Sequence, residues 1–361
     1  MAGNTLGEVY RITNWGESHG PSIGVVVDGC PSDLAITPEE IQVDLDRRKP
    51  GQSKVSTSRN EKDTVQILSG VFEGKTTGTP ISLLIQNKDY ENEDYENFVE
   101  IFRPGHADFT YKKKYGRRDP FGGGRSSARI TAGHVAAGAI AKKYLTKVND
   151  IEIVGYVKSV KDISINIEID ELEKDKVESN IVRCPDQDKA QEMISLIEKY
   201  KEEGDSVGGV VECVIKNPPI GLGEPVFSKL HADLAHAALS INATKGFEIG
   251  EGFKAAQYKG SEHNDSFDFD KNGEVITKTN HAGGVLGGIS NGMPIKFRVA
   301  FKPPPTIGKE QDTINEKGDK VKLSASGRHD PCVVPRAVPI VEAMAANIIM
   351  DHYLRQKTRQ K

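Results

Sequence analysis

The 361 residues predict an α+β protein, a single unit over 1–361 in which helices lie between mostly antiparallel sheets. Three observations carry this reading. Two helical stretches, at 129–148 and 229–241, are rich in alanine, so they can pack closely inside the molecule. Many short strand-patterned runs surround them, without the regular strand–helix alternation of a parallel dinucleotide-binding sheet. Polar motifs bearing Gly, Arg and His run from residue 16 to residue 336, which argues for one interwoven unit.

The elements follow in order. Residues 24–28 (Gly-Val-Val-Val-Asp) read as a buried strand ended by Gly29. A helix opens at Thr37-Pro38-Glu39-Glu40: threonine caps, proline takes the first position and acids follow. It closes on Arg47-Arg48-Lys49, cations that suit a helix C-terminus, before Pro50-Gly51. Strand patterns cover 64–72 and 81–86, and the first alanine-rich helix covers 129–148. A strand at 152–157, an amphipathic helix at 187–203 stopped by Gly204, and a strand at 207–216 come next. The second alanine-rich helix spans 229–241, and a last helix, entered through Pro339, spans 339–355. Polar stretches at 87–97, 261–279 and 303–320 read as long loops of the kind that cover sites.

Composition excludes several classes. A formal net charge of -4 gives no general attraction for nucleic acid, and the arginines lack interleaved aromatics. Cys30, Cys184, Cys213 and Cys332 match neither a zinc site nor a disulfide framework, so four free thiols and a cytoplasmic setting are expected. No secretory pattern opens the chain and no apolar run reaches membrane length. No H-E-x-x-H pair occurs, and no metal is expected. Ser69 to Thr76 imitates a P-loop, but its first glycine is Ser69 and no helical pattern follows. Gly283 to Gly288 lacks dinucleotide-binding spacing, so its glycines serve close approach to a planar ligand or another strand.

Chemistry concentrates in four motifs: Gly16-Glu17-Ser18-His19-Gly20, Arg103-Pro104-Gly105-His106-Ala107-Asp108, Gly122-Gly123-Gly124-Arg125-Ser126-Ser127-Ala128-Arg129 and Arg328-His329-Asp330-Pro331-Cys332. His19 and His106 stand in glycine-bounded turns, placed to move protons near neutral pH. Arg125, Ser126 and Ser127 precede a helix start, which makes a natural anion site. Arg48, Lys54, Arg103, Arg129 and Arg336 extend a basic lining, and Asp330 sits beside Arg328 and His329. Together they predict one composite pocket for an anionic ligand.

With Gly16–Gly20, Arg103–Asp108, Gly122–Arg129, Asn280–Ser290 and Arg328–Cys332 in this order, the chain resembles the chorismate synthase family over nearly its whole length. The resemblance implies a β-α-β sandwich, usually a homotetramer. It implies a lyase of the shikimate pathway that converts 5-enolpyruvylshikimate 3-phosphate to chorismate by anti 1,4-elimination, with reduced FMN and no net redox change. Carried over by motif, His19 protonates the leaving phosphate with Ser18 nearby, and His106 controls protonation of the reduced flavin. Asp330 helps remove the ring hydrogen, and Ser127 belongs to the same catalytic group. FMN contacts fall on Arg125, Ser126, Ser127, Asn242, Ala243, Gly287, Lys302, Pro303, Pro304, Pro305, Thr306 and Arg328. Arg48 and Lys54 match positions the family assigns to nicotinamide nucleotide, and both also suit the substrate's anionic groups. Reduced flavin is expected from an external source, with NADPH as the other reductant. A flavin oxidoreductase and a nucleic-acid-binding module are the rival readings.

Overall fold

The computed structural model describes residues 3–52, 61–88, 98–324 and 330–359. Two five-stranded antiparallel sheets enclose a layer of helices. The first sheet runs Thr5–Leu6, Arg11–Gly16, Ser22–Asp28, Ile81–Gln86, Val65–Ile67. The second runs Thr244–Ile249, Ile295–Phe301, Gly209–Lys216, Glu152–Val160, Ile163–Ser164. Strand alternation is clean in Ile295–Phe301, where every second side chain is buried. The predicted architecture is therefore the observed one, and the long helices Thr131–Asn149 and Val334–Lys357 form the middle layer.

Small residues allow the two central helices to cross closely. A methyl group built on Gly138 would stand 2.5 Å from the Ala343 Cβ. The helix Thr131–Asn149 also packs on the strand Ser22–Asp28, and Val334–Lys357 packs on Glu152–Val160. The second alanine-rich helix, Leu230–Leu239, packs on the C-terminal helix and on Thr244–Ile249. The second partner in the central crossing is thus the C-terminal helix, not the second alanine-rich one.

That C-terminal helix starts at Val334, five residues before the expected entry at Pro339. Pro335 occupies the first turn, where a missing N–H costs nothing, and Pro339 lies inside the helix. The amide that Pro339 lacks would have bonded the Pro335 carbonyl. Arg183 supplies the replacement, its Nη1 donating to the Pro335 oxygen at 2.8 Å.

The helix Pro38–Arg48 has the expected cap, with Thr37 and Glu40 in a reciprocal capping box. Its C-terminal arginines do more than suit the helix dipole. Arg47 is buried against Glu342, Glu178 and Asp44, and Arg48 against Asp63. The strand expected at 64–72 breaks at Gly70 into Val65–Ile67 and a short hairpin, Val71–Phe72 with Lys75–Thr76. The P-loop imitation is that hairpin. Val285–Leu286 and Ile289–Ser290 also pair as a hairpin, and Gly283 lies against the Gly250 backbone. Two of the expected loops carry strands: Phe267–Phe269 pairs with Val275–Thr277, and Gln311–Ile314 with Lys320–Leu323. All four cysteines are free and buried. Among the described residues no helix is long and apolar enough to cross a membrane.

Candidate active site

Five separated segments converge on one cleft of about 430 Å³: 48–50, 103–107, 122–129, 302–306 and 330–336, with Asn242 and Ala243 between them. A cleft of this size suits a small molecule. Arg48, Arg103, Arg129, Arg336 and Lys302 give it a cationic wall, against the acidic Glu61 and Asp330. A larger, more open depression over the helix Gln187–Glu202 gathers Ile163, Gln191 and Lys199 but no convergent catalytic groups.

His106 lines the cleft. Its Nδ1 stands 3.0 Å from the Pro104 carbonyl, which can only accept, so Nδ1 carries the proton. Nε2 then accepts from the Thr306 hydroxyl at 2.9 Å. Burial, aided by the nearby Arg103 charge, draws this imidazole down from 6.5 to about 4. It is therefore neutral at physiological pH. Lys302 donates to the Gly105 carbonyl at 2.7 Å and ties the 302–306 segment to the histidine loop.

The glycine turn makes the opposite wall. Gly122, Gly123 and Gly124 all have positive φ, a run that side chains would strain. His19 does not line the cleft; it stands behind Gly122, where a Cβ would meet its Cε1 at 2.1 Å. Ser18 is buried, with its Oγ 3.1 Å from His19 Nδ1. Asn87 donates to the Glu17 and Gly20 carbonyls and accepts from Arg129 Nε at 2.9 Å, which couples the His19 turn to the cationic wall. Ser127 caps the short helix Ala128–Ile130 by accepting from the Arg129 amide at 3.3 Å. Ser126 offers its carbonyl to Asn242 Nδ2 at 2.7 Å.

Each arginine is held by a carboxylate or a carbonyl. Arg103 makes a two-pronged pair with Asp108, at 2.8 and 2.9 Å. Burial alone would raise the Asp108 carboxyl, but Arg103 holds it below the usual range. Arg48 binds Asp63 at 2.8 Å and the Ala128 carbonyl at 2.7 Å. Burial draws Arg48 down to about 10 despite Asp63, so it stays charged at neutral pH. Arg336 pairs with Asp330 and donates to the Arg48 carbonyl at 3.3 Å.

Most residues expected from the sequence meet here: His106, Ser126, Ser127, Asn242, Ala243, Lys302, Pro304, Pro305, Thr306, Asp330 and four of the arginines. Others do not. Arg125 turns away and donates to Asn4, Asn14 and Gly16, so it fastens the edge of the first sheet instead of lining the cleft. Gly287 is the exposed tip of the hairpin at 285–290, and Pro303 does not line the cleft. Lys54 and Arg328 lie outside the described residues. Sequence reasoning missed Glu61, which lines the cleft, and Asp63, which binds two of its arginines. Neither carries a local signal within the charged run Glu61-Lys62-Asp63.

The family model described as chorismate synthase matches residues 10–354. A chorismate synthase from Synechocystis is 58% identical over 359 residues, covering 99% of each chain. One from Trichormus variabilis is 59% identical over 353 residues, covering 98% of each. A crystal structure of a chorismate synthase superposes with a TM-score of 0.79 at 33% identity, over 97% of this chain and 93% of that one. The family match and these relatives define a phosphate-eliminating lyase. The chain belongs to the chorismate synthase family, which makes chorismate from 5-enolpyruvylshikimate 3-phosphate in the shikimate pathway and uses reduced FMN.

Proposed function

We propose that the cleft between His106 and the Gly122–Gly124 turn is where this elimination takes place, and that the chain acts there as one unit. The observation that carries the reading is the meeting of four arginines and a neutral, doubly hydrogen-bonded histidine in one cavity. A substrate with one phosphate and two carboxylates must be stripped of water, and fixed guanidiniums offset that cost.

The residues present fit FMN. Asn242 Oδ1 is buried beside the cleft without a hydrogen-bond partner among the described residues, an acceptor left for a ring N–H. Lys302 provides a cation, and Thr306, Ser126 and Ser127 provide hydroxyls. We assign the cofactor to these residues with Ala243, Pro304 and Pro305. Reduced FMN, when bound, supplies electron density to the allylic system and is recovered reduced.

The protein's own groups do the rest. The arginines neutralise charge on the phosphate as its C–O bond breaks. His19 stands with Ser18 behind Gly122 and outside the cleft lining, so we assign it proton delivery to that leaving group past the Gly122 turn, directly or through one water. Asp330, held by Arg336, helps remove the ring hydrogen. His106 is neutral and holds the Thr306 hydroxyl through Nε2, which becomes free to take a proton when that hydroxyl turns to a bound ligand, and Ser127 donates its hydroxyl to the bound anion.

The test is anaerobic. Photoreduced FMN and 5-enolpyruvylshikimate 3-phosphate should give phosphate and diene absorbance over many turnovers per flavin. One turnover per flavin would mean net hydride transfer and would sink this reading. We assign reduction of the flavin to an external donor; steady turnover with oxidised FMN and NADPH alone would instead assign it to the chain.

We also infer a homotetramer, supported by bulky apolar side chains left in water, among them Phe227 at 87% and Phe253 at 83% exposure. Light scattering that gives a monomer mass at micromolar concentration would overturn it.

A further inference from the structure

We propose that Asp63 is a positioning residue for anion binding: its buried carboxylate sets the separation and direction of Arg48 and Arg129, and the cleft loses its grip on phosphate without it. The inference rests on the cleft assignment above and deepens it.

Asp63 does not line the cleft, and its side chain is fully buried. One carboxylate oxygen, Oδ2, accepts from Arg48 Nη1 at 2.8 Å. The other, Oδ1, accepts from Arg129 Nη1. Both arginines line the cleft. Each guanidinium is also fixed at a second point, Arg48 by the Thr131 hydroxyl at 3.2 Å and the Ala128 carbonyl, Arg129 by Asn87. The carboxylate is therefore the shared member of an Arg–Asp–Arg bridge, and the remaining N–H groups of both forks are what a ligand meets.

Asp63 does more than cancel charge. Arg48, Arg129 and Arg336 repel one another inside a dry wall, and the charges of Arg336 and Arg129 add to the burial that lowers the proton affinity of Arg48. A single carboxylate between two of them removes that repulsion only while its geometry is kept. The backbone agrees: Asp63 has φ +50°, a left-handed conformation that is uncommon for a side-chain-bearing residue. The chain accepts this strain to turn the carboxylate inward between the two forks. Asp and Asn both tolerate the conformation, so Asp63→Asn changes charge and hydrogen bonding without changing the turn.

The two alternatives differ in sign. If Asp63 merely lowers the cleft's positive charge, Asp63→Asn makes the cleft more cationic and anion affinity rises. If it positions the arginines, affinity falls. The experiment measures binding of inorganic phosphate by calorimetry, and KM and kcat for 5-enolpyruvylshikimate 3-phosphate with photoreduced FMN. For Asp63→Asn we expect phosphate affinity to fall and KM to rise about 10- to 100-fold, the loss of one or two charge-assisted hydrogen bonds, with a smaller change in kcat. Unchanged or tighter phosphate binding overturns the inference.

Should Asp63→Asn not fold, Asp63→Asn/Arg129→Gln removes both members of one pair and leaves fewer buried charges stranded. Compared with Arg129→Gln alone, it should still bind phosphate about 10-fold more weakly, because Arg48 has lost its guide. Equal binding in those two variants overturns the proposal. The phosphate measurement needs no particular substrate. If the parent chain binds phosphate but does not turn over the enolpyruvyl substrate, the functional reading fails and the role of Asp63 is still decided.

Discussion

His106→Ala should lower the turnover of 5-enolpyruvylshikimate 3-phosphate by about 100-fold or more, a typical loss for a proton-handling side chain. The tautomer is settled by its partners: Nδ1–H faces the Pro104 carbonyl and Nε2 faces the Thr306 hydroxyl. Alanine removes the one basic nitrogen this loop presents to the cleft. Stopped-flow absorbance at saturating reduced FMN checks the result, and a loss under 5-fold would remove His106 from the mechanism. The pH dependence follows from burial. Because the imidazole is drawn down from 6.5 to about 4, it stays neutral in the folded protein down to roughly that pH. Activity should show no limb near pH 6.5 from this group. The unfolded chain takes up the proton first, so folding stability contributed here falls as pH drops from 6.5 towards 4.

Glu342→Gln should destabilise the protein by about 3–5 kcal/mol, the range for breaking a buried pair by removing one partner. Glu342 sits in the C-terminal helix with its side chain 1% exposed. It accepts from Arg47 at 2.6 and 2.9 Å, from Lys142 at 3.1 Å and from the Gly155 amide at 3.0 Å. One carboxylate thus joins three helices and the second sheet. Glutamine leaves Arg47 and Lys142 buried with too little counter-charge. Denaturant unfolding at pH 7 measures the loss, and a change under about 1 kcal/mol would refute it. The sign with pH is fixed. Burial alone would raise this carboxyl, but Arg47 and Lys142 hold it far below its usual 4.5. A depressed carboxyl stabilises fully above its unfolded value and loses that contribution as pH falls through 4.5 and below. The gap between parent and Glu342→Gln should therefore narrow on acidification.

Much of the site was legible because its motifs are local. A histidine after Pro-Gly and a serine pair after three glycines announce rigid turns wherever they occur, and His106, Ser126 and Ser127 reach the cleft as expected. Arg125 shows the limit of that logic. It belongs to the same motif, yet its fork finds four acceptors on the adjoining strand edge and turns away. Local sequence sets where a guanidinium starts, not which acceptors lie within its long reach. Pro339 misled for a similar reason. Proline commonly opens a helix, but here a distant arginine satisfies the carbonyl it frees, so the helix runs through it.

Residue order and chemistry were enough to predict the layered α+β architecture, most element positions, and a cationic, histidine-bearing pocket. These follow from periodicity, capping and residue chemistry, all short-range properties. Tertiary structure alone decided that Asp63 bridges two cleft arginines, that Glu342 binds the helical layer together, and that His106 is neutral while His19 waits behind a glycine. Each of those depends on burial and on partners far away in the chain, and neither dielectric surroundings nor long-range neighbours are written in any local stretch of residues.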